Sequence, residues 1–183
     1  MVKKRERALF LDRDGVVIKT LVINGKPVAN HDLENLEYVP GIFDLVSFAR
    51  DRNLVPILIT NQPDVARGIV EKDLVDEMNS RIVTETGIEK VFMCCHDDTD
   101  RCDCRKPLPG LFYQARLLMN LDLENSFMVG DRWRDVQAAQ KAGIEPIYLE
   151  GDYQEIAPNG VFHRIKTLEE CKLVISMGDF DYD

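Results

Sequence analysis

The chain has 183 residues, a length that fits one domain, and 45% of them are hydrophobic, which is enough to bury a sizeable core. Charged residues make up 30% of the chain and the mean hydropathy is negative, which argues against a membrane protein. The 32 acidic residues outnumber the 23 basic ones, and the net charge of −9 argues against a broad nucleic-acid-binding surface. An anionic substrate would therefore need a local cation cluster or a metal ion to attract it.

The N-terminal segment predicts a cytoplasmic protein. The basic residues Lys3–Arg5 precede an apolar run, Ala8–Leu11, that stops at Asp12. This run is far shorter than the apolar region of a secretory signal peptide. At the other end of the chain, the acidic residues 179–183 are expected to form a solvated tail.

Strand-like and helix-like segments alternate along the chain. Short β-like runs occupy Ala8–Leu11, Leu54–Thr60, Lys90–Cys94, Ser126–Val129 and Pro146–Leu149. Helical apolar spacing covers Gly41–Arg52, Glu71–Thr86, Gly110–Met119 and Trp133–Ala142. The alternation predicts an α/β fold, a single domain over 1–183, in which helices cover a mainly parallel sheet. In such sheets, ligands bind at the carboxyl ends of the strands.

One segment interrupts this alternation. Val16–Ile23 and Lys26–Ala29 flank Asn24-Gly25, a strong β-hairpin signal. Because the segment directly follows an acidic turn, we expect a flap at about 16–32 that folds over the site. An ordinary exposed hairpin is the alternative.

Two carboxylates follow the first predicted strand. Asp12 and Asp14 lie two residues apart, so their side chains would share one face of an extended chain, and Gly15 then allows a turn. Two carboxylates this close disfavour joint ionisation, which favours either a raised pKa or a bound cation. The pair suits a nucleophile beside a general acid/base, although a polar turn is the simpler interpretation.

Further polar residues follow the other strands. Asp131 and Asp135 are spaced i, i+4 at a helix start, where they could cap the helix or, together with the first pair, form an all-oxygen Mg²⁺ site. Thr60 and Lys106 could stabilise the charge of a phosphoryl group in the transition state.

Four of the five cysteines lie in one short segment. Three of them and one histidine have metal-ligand spacing: Cys94, His96, Cys102 and Cys104. Four such ligands would close a structural Zn²⁺ site and order a loop at about 94–106 that positions Lys106. In an extended chain Cys95 would point away from its neighbour. Cys171 is expected to be a small buried residue.

Four segments resemble, in order, the four motifs of the haloacid dehalogenase-like phosphohydrolases: Phe10–Gly15, Ile59–Gln62, Cys104–Pro107 and Val129–Asp131. The resemblance implies a Rossmann-like three-layer sandwich without a large cap domain. It also implies an aspartyl-phosphate mechanism in which Asp12 attacks phosphorus and Asp14 acts as general acid and base. Thr60 and Lys106 would hold the phosphoryl oxygens.

The same resemblance implies the metal ligands. Mg²⁺ would be held by Asp12, the main-chain carbonyl of Asp14, and Asp131, with Asp135 acting directly or through water.

The cysteine-rich loop resembles the branch of this family that contains heptose bisphosphate 7-phosphatases and histidinol-phosphate phosphatases. Thr60–Gln62 followed by Val65–Gly68 favours the heptose enzymes, and histidinol phosphate or another small sugar phosphate is the alternative substrate. The expected partner is thus a small phosphorylated metabolite. We expect the protein to be a monomer that binds neither nucleic acid nor a membrane. The resemblance implies substrate contacts from Asn61, Gln62, Arg105 and Arg132.

Three departures from the branch concern substrate specificity. Pro63-Asp64 replaces the usual Ser-Gly, Arg132 stands where lysine is common, and the flap is longer than usual. A catalytically silent zinc-loop binding module is a further alternative, against which the presence of both Asp12 and Asp14 argues.

Overall fold

The computed structural model describes residues 4–161 and 163–178, so the acidic tail predicted at 179–183 lies outside the described residues. Its main sheet has six strands: β1 (Glu6–Leu11), β4 (Leu54–Asn61), β5 (Lys90–Cys94), β6 (Leu121–Gly130), β7 (Glu145–Leu149) and β8 (His163–Ile165). Their order is β5-β4-β1-β6-β7-β8, and every neighbouring pair is parallel. A separate antiparallel hairpin pairs β2 (Leu21–Ile23) with β3 (Lys26–Val28).

Within the described residues, six helices accompany the sheet: α1 (Ile42–Asp51), α2 (Pro63–Ala66), α3 (Lys72–Thr86), α4 (Gly110–Met119), α5 (Trp133–Ala142) and α6 (Leu168–Gly178). Strand β1 shows how they are layered. Leu9 and Leu11 face a core formed with α1, α3 and α6, whereas Ala8 and Phe10 face a second core formed with α4 and α5. This alternation follows from the two-residue period of a strand and confirms the three-layer α/β sandwich.

The hairpin prediction was right in kind and wrong in extent. Its first strand begins at Leu21, because Val16, Val17 and Ile18 are fully buried and pack in the core instead of extending the flap. Ile18 bridges Asp14 on one side and Tyr38 on the other. The chain thus re-enters the core directly after the acidic turn, and burial of these three apolar side chains outweighs extension of the hairpin.

Other differences lie at the C-terminal end. Strand β6 begins five residues before the predicted Ser126, and neither β8 nor α6 was predicted. Within the described ranges, no cap domain covers the carboxyl edge of the sheet, and the small hairpin is the element that lies over it. No helix in those ranges is long and apolar enough to cross a membrane.

Candidate active site

The predicted site residues converge at the carboxyl edge of the three central strands. Strand β1 lies between β4 and β6, with Leu11 paired to Leu58 on one side and to Val129 on the other. Asp12 therefore leaves the sheet next to the ends of β4 and β6, and its backbone N–H donates to the carbonyl of Val129 at 3.0 Å. Parallel strands end at the same edge, which brings sequence-distant motifs together.

Lys106 joins two carboxylates at the floor of this site. Its Nζ lies 2.8 Å from Asp12 Oδ1 and 2.5 Å from Asp135 Oδ1, and it also donates to the carbonyl of Ile59 at 2.9 Å. Burial lowers the pKa of Lys106, but the ion pairs with Asp12 and Asp135 outweigh burial, so the net pKa is raised. The ammonium therefore stays charged in a buried position.

Asp14 is held by a different set of donors. The guanidinium of Arg13 donates to both carboxylate oxygens, from Nε at 3.1 Å and from Nη2 at 3.3 Å. Gln62 Nε2 donates to Asp14 Oδ2 at 2.8 Å and to Thr60 Oγ1 at 2.9 Å. The carboxylate of Asp14 is thus fixed in orientation while its side chain remains 16% exposed at the cleft.

Three acidic side chains form a buried cluster suited to a metal ion. Asp12, Asp131 and Asp135 each offer a carboxylate oxygen, and these atoms lie within 4.8 Å of one another. Neither oxygen of Asp131 forms a well-aligned hydrogen bond with any described residue, although the Tyr153 hydroxyl lies beside the carboxylate. A Cβ on Gly15 would lie 1.9 Å from Asp131 Oδ2, so glycine allows this close approach.

Burial and mutual repulsion oppose ionisation of the Asp12 and Asp131 carboxyl groups in this cluster. Burial, followed by repulsion from Asp135, raises the pKa of Asp12 to about 7, although Lys106 opposes the shift. Burial and the charges of Asp12 and Asp135 also raise the pKa of Asp131 well above its usual value. Buried carboxylates without enough donors fit a hard divalent cation such as Mg²⁺, which prefers oxygen ligands.

Asp135 combines a helix-capping contact with a place in the acidic cluster. Its Oδ2 accepts from the backbone N–H of Arg132 at 3.1 Å and so caps the start of α5. Its Oδ1 contacts Lys106 and belongs to the acidic cluster. A single carboxylate can do both because its two oxygens point in different directions.

A cluster of three thiols and one imidazole lies at the end of β5. The Sγ of Cys94 is 3.7 Å from Cys102 Sγ, 3.2 Å from Cys104 Sγ and 3.6 Å from His96 Nδ1. A tetrahedral zinc ion with Zn–S bonds of about 2.3 Å would separate its sulfur ligands by about 3.7 Å. The Cys94–Cys102 distance matches this separation and the Cys94–Cys104 distance is shorter, so the four donors are grouped as a zinc site requires. Cys95 lies outside this cluster and beside α3, where burial raises the pKa of its thiol and Lys72 opposes the shift.

The four residues expected to contact substrate have different environments. Asn61 lines the cleft. Its Oδ1 accepts from the backbone N–H of Lys106 at 3.1 Å, and its Nδ2 donates to the backbone carbonyl of Lys106 at 3.0 Å. Arg105 and Arg132 also line the cleft, where they pair with Asp98 and Glu155. Gln62 is fully buried and its Nε2 donates to Asp14 and Thr60, so its contact with substrate stays a prediction.

Sequence reasoning missed the role of Arg13. Its side chain is fully buried and also contacts Asn79 of α3 through Nη1 at 3.4 Å. A signal was present, because the β1 alternation continued by two residues places position 13 on the α3 side. The helical position of Asn79 gave no such signal, since a polar residue within a helix is usually exposed.

Comparisons with known proteins agree with this geometry. A family model described as haloacid dehalogenase-like hydrolase matches residues 28–143. The chain is 33% identical over 149 residues to D-glycero-beta-D-manno-heptose-1,7-bisphosphate 7-phosphatase of Vibrio cholerae, covering 75% of this chain and 77% of that protein. It is 33% identical over 171 residues to the corresponding alpha-heptose enzyme of Campylobacter jejuni, covering 91% and 94%.

A solved structure of a heptose bisphosphate phosphatase has the same fold as this chain. The D,D-heptose 1,7-bisphosphate phosphatase of B. bronchiseptica, complexed with magnesium and phosphate, superposes with a TM-score of 0.78 at 26% identity. The match covers 93% of this chain and 98% of that one. The present chain belongs to the haloacid dehalogenase-like hydrolases and is a phosphatase of that family.

Proposed function

We propose that this phosphatase hydrolyses a phosphomonoester through an aspartyl-phosphate on Asp12. The observation that supports this most strongly is the convergence of Asp12, Asp14, Lys106 and the acidic cluster on one cleft of about 610 Å³. Asp12 is the proposed nucleophile because it lies at the cleft floor beside a fixed ammonium, which can stabilise charge on the transferring phosphoryl group.

The proposed reaction has two steps. In the first, a carboxylate oxygen of Asp12 forms a bond to phosphorus while the bond from phosphorus to the substrate oxygen breaks, and Asp14 donates a proton to the leaving alkoxide. In the second, Asp14 accepts a proton from water as that water attacks phosphorus, which releases phosphate and restores Asp12. Arg13 and Gln62 support this role because they fix the Asp14 carboxylate.

We assign the acidic cluster to Mg²⁺, held by Asp12, Asp131 and Asp135 with the main-chain carbonyl of Asp14. The buried Asp131 carboxylate, which forms no well-aligned hydrogen bond with any described residue, supports this assignment. When bound, Mg²⁺ supplies charge neutralisation that allows an anionic phosphate to approach several carboxylates. Thr60 and Lys106 are the proposed donors to the phosphoryl oxygens.

The cluster Cys94, His96, Cys102 and Cys104 is the proposed zinc site. Four protein donors would fill all four positions of a tetrahedral ion, so a structural role is favoured over catalysis. Arg105 and Lys106 follow Cys104 directly, and zinc would order the loop that delivers them to the cleft.

The proposed substrate is D-glycero-D-manno-heptose 1,7-bisphosphate, hydrolysed at the 7-phosphate. The support is the similarity to the beta-heptose bisphosphate 7-phosphatase of Vibrio cholerae and the alpha-heptose bisphosphate 7-phosphatase of Campylobacter jejuni. This substrate would place the enzyme in the synthesis of nucleotide-activated heptose for surface glycans.

The test is phosphate release from both heptose bisphosphate anomers, histidinol phosphate and simple sugar phosphates, each with Mg²⁺. We expect the highest kcat/KM with one heptose bisphosphate anomer, and a preference for histidinol phosphate would overturn the substrate assignment. Asp12→Asn should abolish release, whereas Asp44→Asn, an exposed change on α1, should retain it. Residual release by Asp12→Asn at the wild-type rate would contradict the nucleophile assignment.

A further inference from the structure

Most cations around the cleft already have a carboxylate partner. Arg105 and Arg134 share Asp98 at 2.8 and 3.2 Å. The remaining pairs are Arg67 with Asp64 and Asp97, Arg132 with Glu155, and Lys106 with Asp12 and Asp135. Among the residues that the structure describes, Lys26 is the cleft-lining cation that forms no ion pair.

The hairpin holds Lys26 over the cleft. The backbone N–H of Gln154 donates to the carbonyl of Gly25 at 2.7 Å, directly before Lys26. Gly25 has φ +74°, and a Cβ there would lie 2.5 Å from the Gln154 side chain, so the turn packs closely against the loop that follows β7. Thr20 Oγ1 donates to the carbonyl of Val28 at 2.8 Å and secures the base of the hairpin.

An anion binds at a lower free-energy cost to an unpaired ammonium than to a guanidinium that already pairs with a carboxylate. An anion that binds Arg105 or Arg132 must compete with Asp98 or Glu155 for the donors. An anion that binds Lys26 displaces water alone, since no carboxylate of the described residues pairs with it. Lys106 and Lys26 line the same cleft from different elements, and Lys26 on the hairpin is free to contact a second anionic group of a ligand whose phosphoryl group lies at Lys106.

We propose that Lys26 on the hairpin is a specificity-determining residue that binds a second anionic group of the substrate, distinct from the phosphoryl group being transferred. Through this contact Lys26 would favour a bisphosphate over the matching monophosphate. This inference rests on the proposed phosphatase site, although it does not depend on the identity of the sugar. The cleft volume of about 610 Å³ is in the range of small-molecule sites and exceeds what one phosphate requires.

The experiment compares glucose 1,6-bisphosphate with glucose 6-phosphate as inhibitors of p-nitrophenyl phosphate turnover in the presence of Mg²⁺. For wild type we expect the bisphosphate to have the lower Ki, by about tenfold, as for one charge-assisted contact. Lys26→Gln should reduce this ratio to near one, and Lys26→Arg should restore most of it. Lys19→Gln is the control, because Lys19 is exposed, pairs with Glu37 and lies outside the cleft lining.

The outcomes separate this inference from the substrate assignment. A wild-type ratio near one, or a Lys26→Gln ratio equal to that of wild type, overturns the role of Lys26. A wild type that discriminates through Lys26 but does not hydrolyse heptose bisphosphate supports the role of Lys26 and contradicts the proposed sugar. Turnover of p-nitrophenyl phosphate by each variant shows that its site is folded.

Discussion

The buried ion pair between Arg13 and Asp14 gives a quantitative prediction for Arg13→Met. Arg13 is the largest fully buried side chain among the described residues, and methionine retains much of its apolar volume while removing the guanidinium. Breaking a fully buried ion pair from one side costs about 3–5 kcal/mol. Asp14 remains 16% exposed and keeps its bond from Gln62, so we expect a loss in unfolding free energy of about 2–3 kcal/mol.

The matched control is Lys19→Met, which breaks the Lys19–Glu37 pair. That pair is closer, at 2.6 Å against 3.1 Å, but its side chains are 54% and 65% exposed. An exposed pair contributes at most about 1 kcal/mol, so solvent exposure outweighs the shorter distance and the control should lose little stability.

The assay is urea denaturation of both variants at the same protein and metal concentrations, together with steady-state kinetics. Arg13→Met should also lower kcat more than it raises KM, because Asp14 loses its orientation while the cleft lining is unchanged. Equal stability losses in the two variants would refute the reasoning, as would a loss below about 1 kcal/mol for Arg13→Met.

Three further predictions concern the loops around the site. Cys102→Ser should lose zinc by metal analysis and lower kcat, whereas Cys95→Ser should keep zinc because its side chain faces α3; zinc retained by Cys102→Ser would contradict the assignment. Gln62→Leu should lower kcat by about tenfold with KM changed less than twofold, since it removes a buried donor to Asp14. A rise in KM with kcat unchanged would instead indicate substrate contact. Asp64→Asn should raise KM, because the Asp64 carboxylate lines the cleft, orients Arg67 beside it and contacts His31 of the segment that follows the hairpin. These contacts are partly exposed, so chemical denaturation should show a stability loss below about 1 kcal/mol, and an unchanged KM would contradict this positioning role of Asp64.

Local patterns in the sequence were sufficient for the central architecture. The apolar runs around Phe10 and Ile57 are bounded by polar residues, and parallel strands joined by helices must end at one edge. This requirement alone predicted that Asp12, Thr60 and Asp131 would meet. The metal-ligand spacing of Cys94, His96, Cys102 and Cys104 was also sufficient to predict that these side chains cluster. The four residues are close in the chain and need no long-range contact to converge.

The roles of several polar residues depended on long-range packing. Gln62 was expected at the substrate, and only the structure shows that its amide nitrogen donates to both Asp14 and Thr60. Val16–Ile18 were predicted to belong to the hairpin, because the alternation of apolar residues and the turn signal are local features. Their burial depends instead on contacts with distant parts of the chain.

The sequence by itself determined the α/β class, the edge of the sheet that holds the site, and the residue types able to perform phosphoryl chemistry and bind two metals. The tertiary structure alone decided which charges are already paired, since ion pairing depends on distance and burial across the whole fold. It is for this reason that the net charge of −9 did not reveal the local balance at the cleft. There, carboxylates neutralise the arginines and Lys26 remains as a cation unpaired with any described residue.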